Sequence, residues 1–283
     1  MTTDEKLAAI LAAVQTDPGN RGLARDPHDN LFTATAGQFQ AACRSIADHP
    51  SPAIQIYTGF WIPSATPPAF ETDGPLGAAF VSSGFRDLGI RCDLIGGMIV
   101  EDLLKEWFDF DSWIPTHLLS IETPGPTADG TFRTMRGIDI TDRHHDIHEM
   151  YTSDVVVGPV TIGIGDGGNE IGMGNVKPET IEANIPGGAA VHCRVPVDHL
   201  IVAGVSNWGA YALVAGVAVL RGKPKQVARH FDSQRELGHL EKLVASGKLV
   251  DGVVNKVQAT VDGLPWDVYA APLLRIREIL ELP

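Results

Sequence analysis

Short apolar runs of strand length alternate with helical patterns along most of this chain, and that alternation constrains the fold more than any other feature. Ala53 to Tyr57, Ile90 to Ile95, His117 to Ile121, Val160 to Ile164, Ala190 to Val195 and Leu200 to Ala203 read as strands. Helical patterns lie around them. Thr2-x-x-Glu5 resembles a capping box ahead of Leu7, Ile10, Leu11 and Val14, and Phe39, Cys43 and Ile46 keep helical spacing. Gly74-Pro75 opens a helix that Gly89 closes. Val100 to Phe108, Arg143 to Tyr151, Pro178 to Asn184 and Trp208 to Leu220 follow, and the tail from Lys223 reads as helical with short breaks. Strands that alternate with helices predict an α/β fold: a mostly parallel, doubly wound sheet with helices on both faces.

At 283 residues and 44% hydrophobic, the chain can bury a large core. It shows no repeat and no low-complexity linker, so residues 1–283 read as a single domain. N-terminal helices occupy residues 1–50, and the tail, residues 223–283, packs on the same body. Thr58 to Asp73, with Pro63, Pro67 and Pro68, reads as a long loop, a length that usually carries function.

A net charge of −13 repels nucleic-acid backbones, and no apolar run is long enough to span a bilayer. Cys43, Cys92 and Cys193 are odd in number and widely spaced, which suits a reducing compartment and no disulfide scaffold. The start, Met1-Thr2-Thr3-Asp4-Glu5-Lys6, lacks the basic and apolar pattern of a leader, so a cytoplasmic location is expected.

Four of the strands run into dense polar, glycine-rich segments. These are Thr58-Gly59-Phe60 continuing to Glu71-Thr72-Asp73-Gly74, then Glu122 followed by Asp129-Gly130, then Gly163 to Glu170, then Gly204 to Gly209. Ligands of open α/β sheets bind outside the carboxyl ends of the strands, where all four segments would converge. Gly163-x-Gly165-x-x-Gly168 matches a dinucleotide fingerprint in form only, because Asp166 and Glu170 would repel a pyrophosphate. Asp166, Asn169 and Glu170 suit a hard cation such as Mg²⁺ or Mn²⁺ better, and Glu71 and Asp73 are candidates for the same site. A plain alternative makes Glu71-Thr72-Asp73 an N-cap cluster for the helix at Pro75.

Other motifs are weaker. His144 and His148 are four apart, but the bland reading is a solvated helix. Gly204-Val205-Ser206-Asn207-Trp208 misses a nucleophile elbow by its last glycine, so Ser206 and Asn207 are read as hydrogen-bond donors to a substrate. Arg21, Arg133 and Arg136 lie nearest these segments in sequence and could hold a carboxylate, although surface exposure is the default for each.

Ile56-Tyr57-Thr58-Gly59-Phe60, Glu71 to Pro75, Gly163 to Gly174 and Ala203 to Leu213 together resemble the C-terminal domain of the D-glutamate cyclase family. The resemblance runs from about Asn20 to Leu220, and Asp129-Gly130 and Arg136 match its pattern after the third strand. It implies a lyase that dehydrates D-glutamate to 5-oxo-D-proline. The residues suit that chemistry, because a carboxylate is a poor electrophile and a divalent metal, Mg or Mn, would help. The expected metal set is Glu71, Asp73, Asp166, Asn169 and Glu170. Glu122 or Asp129, with Asp166, would move protons. Thr58, Arg136, Ser206 and Asn207 would hold the substrate. Two readings compete: a Mg/Mn-dependent phosphatase acting on a small phosphomonoester, and a non-catalytic amino-acid-binding protein. The expected partner is a small amino acid, with no nucleic acid and no membrane; a homo-oligomer is left open.

Overall fold

The computed structural model describes residues 1–95, 98–107, 113–144, 148–152 and 158–282. Its strands are β1 (Ala53–Thr58), β2 (Trp61–Ile62), β3 (Ala69–Glu71), β4 (Arg91–Ile95), β5 (His117–Ile121), β6 (Val160–Gly165), β7 (His199–Val202) and β8 (Leu249–Val250). Its helices are α1 (Thr3–Val14), α2 (Leu31–Ala34), α3 (Gln38–Ala47), α4 (Pro75–Asp87), α5 (Met98–Leu104), α6 (Glu149–Thr152), α7 (Pro178–Asn184), α8 (Gly188–Val191), α9 (Ser206–Leu220), α10 (Ser233–Val244) and α11 (Trp266–Ile279).

Five strands form one parallel sheet in the order β4-β1-β5-β6-β7. The α/β reading holds. The chain leaves β1 toward β4 on one side and returns past it to β5 on the other. The strand order therefore reverses between β1 and β5, and the crevice outside their carboxyl ends is where ligands of such sheets bind. Thr58 ends β1, and Glu122 follows β5.

Alternation along the strands assigns the two faces. Ile54, Ile56, Leu119, Ile121, Ile162 and Ile164 join one core with α1, α3, α4, α9 and α11. Tyr57, Leu118, Leu200 and Val202 join the other, which includes Leu23, Leu31, Ile171, Ile181 and Ile185. Both faces are covered, so these strands carry apolar side chains on each side.

α9 is apolar nearly all round and is buried between α1, α3, α4 and α11, as a helix of that composition must be. Glycines let it approach its neighbours. A Cβ on Gly84 of α4 would lie 2.5 Å from Val214 Cγ1, whereas one on Gly238 of α10 would meet nothing within 4 Å. Gly84→Ala should therefore destabilise the protein by about 1–3 kcal/mol through overpacking. Gly238→Ala should stabilise it by roughly 0.5–1 kcal/mol through helix propensity. Thermal melts of the two variants should move in opposite directions, and a matching shift in both would refute the packing argument.

Several sequence expectations need correcting. The segment Thr58 to Asp73 is not one loop: β2 and β3 pair antiparallel inside it, and β3 pairs in parallel with β8 from the tail. The three strands make a small second sheet at the edge of the crevice. Ala190 to Val195 is not a strand; α8 ends at Val191, and the chain from Cys193 to Val195 bonds to the 126, 168, 172 and 174 backbone instead. Arg143 to Tyr151 is a 3₁₀ turn (Thr141–Arg143) and α6, with residues 145–147 of the histidine cluster outside the described residues. α5 ends at Leu104, and Phe108 also lies outside them. Among the described residues no helix is long and apolar enough to cross a membrane.

Candidate functional site

Two helices begin at the crevice and cap each other. Asp73, just before α4, accepts hydrogen bonds from Ser206 N (2.9 Å) and Asn207 N (2.8 Å) at the start of α9. Asn207 Oδ1 returns the favour to α4, accepting from Gly74 N (2.9 Å) and Gly77 N (2.7 Å). Val205, at the N-cap of α9, offers no side-chain cap, and neither does Gly74 at the N-cap of α4. Each helix thus takes its N-terminal acceptor from the other, which locks the two together at the mouth of the switch point.

This exchange corrects one sequence assignment: Asp73 caps α9, not the helix it precedes. Asn207 is fully buried with its Oδ1 occupied, and its Nδ2 reaches the Thr72 carbonyl at 3.5 Å. Gly74 must be glycine here: its φ is +92°, and a Cβ would sit 2.5 Å from Thr58 Oγ1 and 2.9 Å from Glu122 Cβ.

The turn after β6 is tied by Glu170, whose carboxylate accepts from Asp166 N (2.8 Å) and Gly168 N (2.7 Å). Asp166 is gripped by Arg21 through two parallel bonds, 3.0 Å to Oδ1 and 2.7 Å to Oδ2, and Ser206 N also donates to Oδ2 at 3.1 Å. Arg21 further donates to the Gly204 carbonyl and lies 3.2 Å from Asp262 Oδ2. The default reading of Arg21 as a surface residue is therefore overturned. Glu122 sits at the end of β5 with a left-handed φ of +45°, unusual for a residue with a Cβ, and its Oε2 accepts from Ser206 Oγ.

Five buried acids, Glu71, Asp73, Glu122, Asp166 and Glu170, and the half-buried Asp262 thus gather near the Arg21 guanidinium. Burial, with neighbouring carboxylates adding to it, pushes Glu71, Asp73 and Glu122 well above the usual carboxyl range. Burial also raises Asp166 to about 6 and Asp262 to about 7, against the opposing pull of Arg21. Among the described residues, two trios have carboxylate oxygens within 4.8 Å of one another: Asp73, Asp166 and Asp262, and Glu122, Asp166 and Glu170.

Lone pairs distinguish these acids. Asp73 Oδ1 already accepts from Gly74 N and Asn207 N, and Asp166 Oδ2 from Arg21 and Ser206 N. The open acceptor capacity lies on Glu71, Glu122, Asp262 and Asn169. Asn169 donates Nδ2 to the Arg133 carbonyl, but its buried Oδ1 has no partner, and neither has Thr58 Oγ1. Orphaned buried oxygens beside unsaturated carboxylates fit a hard, oxygen-seeking cation.

The cavity these groups share has a volume of about 150 Å³, room for a small organic molecule. Phe60, Ile62, Met135 and Val253 give it apolar walls, while Arg21, Glu71, Glu122, Asp166, Asn169 and Asp262 supply the polar wall. Arg136 stands at the exposed rim, bonded to Ser64 Oγ, Asn255 Oδ1 and the Val253 carbonyl.

Of the residues expected from the sequence, Glu71, Glu122, Asp166, Asn169 and Arg136 line this cavity, and Thr58, Asp73, Glu170 and Ser206 pack directly behind it. Asp129 does not reach it. Its side chain is 60% exposed and bonded to Thr127, Thr131 and Arg133, and those hydroxyl bonds hold its carboxyl well below the usual range. Asp262 was missed. It comes from the tail, and its only sequence signal is the Asp-Gly pair it forms with Gly263.

The raised acids make a stability prediction. A carboxyl whose folded pKa lies above its unfolded value of 3.8 contributes its full stability below that value and loses it as pH rises through the folded one. For Asp166 and Asp262 the window is pH 4 to 7, and the loss is on the order of a few kcal/mol. Cation-free protein should melt several degrees lower at pH 7.5 than at pH 5, and Mn²⁺ should close the gap at pH 7.5. Equal melting temperatures at both pH values would contradict the charge imbalance.

A family model described as D-glutamate cyclase-like, C-terminal, matches residues 10–112 and 108–277. Over 256 aligned residues the chain is 29% identical to human D-glutamate cyclase, mitochondrial. That alignment takes in 78% of this chain and 40% of the human protein, so the chain spans well under half of that relative's length. The matched ranges contain every acid of the cavity, Asp262 included.

Proposed function

The chain belongs to the D-glutamate cyclase-like family, and on that premise we propose that its cavity cyclises D-glutamate to 5-oxo-D-proline with loss of water, assisted by a divalent cation. The observation that carries this reading is a cavity of about 150 Å³ lined by Glu71, Glu122, Asp166 and Asp262, with unpartnered oxygens on Asp262, Asn169 and Thr58 beside it. That space admits an amino acid.

Cyclisation requires the α-amine to attack the γ-carboxyl carbon. The nitrogen loses one proton before attack and a second after it, and one γ-carboxyl oxygen gains two protons and leaves as water. Asp166, held near pH 6 between burial and Arg21, takes the ammonium proton. Glu122, whose carboxyl is pushed well above the usual range by burial and neighbouring carboxylates, gives one proton to the departing oxygen, which takes its second from the ring nitrogen, and Asp166 then returns its proton to Glu122. Ser206 Oγ fixes the Glu122 carboxyl, and the capped start of α9 fixes Ser206. Arg136 at the rim meets the substrate's α-carboxylate. The Phe60, Ile62 and Val253 side chains keep water from the amine.

Glu71 and Asn169 would hold the cation, with the remaining acceptor places of Glu170, while Asp166 keeps its one open place for the ammonium proton. Bound there, Mg²⁺ or Mn²⁺ would polarise the γ-carboxylate and offset the negative charge of the wall. We keep the cytoplasm as the proposed compartment, although the human relative is named as mitochondrial.

Parallel incubation of metal-loaded protein with D-glutamate, L-glutamate and a panel of phosphomonoesters tests the assignment. 5-Oxoproline from the D isomer alone is the expected result. Release of inorganic phosphate without 5-oxoproline would replace the reading with a phosphatase. Saturable D-glutamate binding without turnover would reduce the protein to a binding module.

A further inference from the structure

The tail contributes more to the crevice than cover. β8 extends the small sheet beside β3, whose last residue is Glu71. The connection that follows is organised around Asp251, which is fully buried. Its carboxylate accepts from Val253 N, Val254 N, Thr260 Oγ1 and Gly263 N at 2.6–2.9 Å. Thr72 Oγ1 bonds to the Thr260 carbonyl, tying the connection to the residue before Asp73. This framework ends by presenting Asp262 to the cavity.

Asp262 has three properties that its neighbours lack in combination. Its side chain is only 8% exposed, yet its Oδ2 has no hydrogen-bond partner, only the ion-pair contact with Arg21. It lies within ligand reach of the Asp73 and Asp166 oxygens. Its φ is +55°, in the left-handed region that few residues with a Cβ adopt. Asp73, by contrast, spends three of its four acceptor places on backbone N–H groups.

We propose that Asp262 is the carboxylate that completes the cation site, that Asp73 is its scaffold and not its ligand, and that cation binding therefore clasps the segment 251–264 over the crevice. The proposal rests on the cation reading above and assigns it a ligand from a part of the chain that reading did not use. Asp262 and Glu71 approach the cavity from the β8 side, and Asn169 from the β6 side, so a cation between them joins the tail to the main sheet.

The test uses the whole protein, stripped of metal and titrated with Mn²⁺, with the free ion followed by electron paramagnetic resonance. Hydrogen exchange of peptides covering 251–264 is measured with and without Mn²⁺. In the parent, Mn²⁺ should bind and slow exchange across that segment at least severalfold. Asp262→Asn should weaken Mn²⁺ about tenfold or more and abolish the slowing, and Asp262→Glu should recover part of both. Unchanged Mn²⁺ affinity in Asp262→Asn, or binding in the parent with no change in exchange at 251–264, overturns the proposal and leaves the cation reading standing. Absence of Mn²⁺ binding in the parent overturns both. Should Asp262→Asn fail to fold, the exchange measurement on the parent alone decides.

Discussion

Arg21→Met will cost the cation-free protein about 3 kcal/mol or more at pH 7.5, the largest stability loss expected of any single change at this site. Methionine keeps much of the volume of the stem and removes the charge. Arg21 makes two bonds to Asp166, one to the Gly204 carbonyl and an ion-pair contact with Asp262. Without it, five buried acids and the half-buried Asp262 face one another with no guanidinium among them. The loss should shrink at pH 5, where Asp166 and Asp262, raised to about 6 and 7 even in the presence of Arg21, are protonated. Urea unfolding at the two pH values measures this directly. A variant as stable as the parent at pH 7.5 would show that the acids are already neutralised by protons.

Glu122→Gln should have the opposite profile. The account places a protonated carboxyl at this position at neutral pH, so an isosteric amide should change stability by less than about 1 kcal/mol. Its oxygen can still accept from Ser206 Oγ. Turnover should nevertheless fall by about 10²–10⁴-fold, because an amide cannot donate the proton that the departing oxygen needs. Loss concentrated in kcat, with KM little changed, is the expected signature. A variant retaining half of the parent's turnover would remove Glu122 from proton transfer and leave the role to another acid of the wall.

Much of this site was legible in the sequence, for a physical reason. In a parallel sheet every strand delivers its following segment to the same edge, so Glu71, Glu122, Asp166 and Asn169 could be brought together from strand order alone. The strands themselves were visible because both faces are buried and their runs are continuously apolar. What escaped were features set by contacts distant in sequence. The Asp73–Asn207 exchange of caps links residues 134 positions apart, and the Arg21–Asp166 pair links residues 145 apart. Nothing local distinguishes Arg21 from an exposed arginine.

Asp262 escaped for a different reason. β8 has two residues and no periodicity to detect, so the tail read as helix with breaks. The Asp-Gly signal was also ambiguous. Asp129-Gly130 proves to be an exposed turn held by Thr127 and Thr131, while Asp262-Gly263 faces the cavity. The cap that Asn207 supplies was not legible either, because its oxygen accepts from the start of a helix distant in sequence.

The central claim is that this cavity cyclises D-glutamate and needs a cation to do so. Proton NMR of D-glutamate with one protein preparation, recorded with Mn²⁺, after EDTA, and after Mn²⁺ is restored in excess, tests it most directly. The account predicts 5-oxoproline signals growing in the first state, halting in the second and resuming in the third. Conversion that continues undiminished through EDTA, or no conversion in any state, would contradict it.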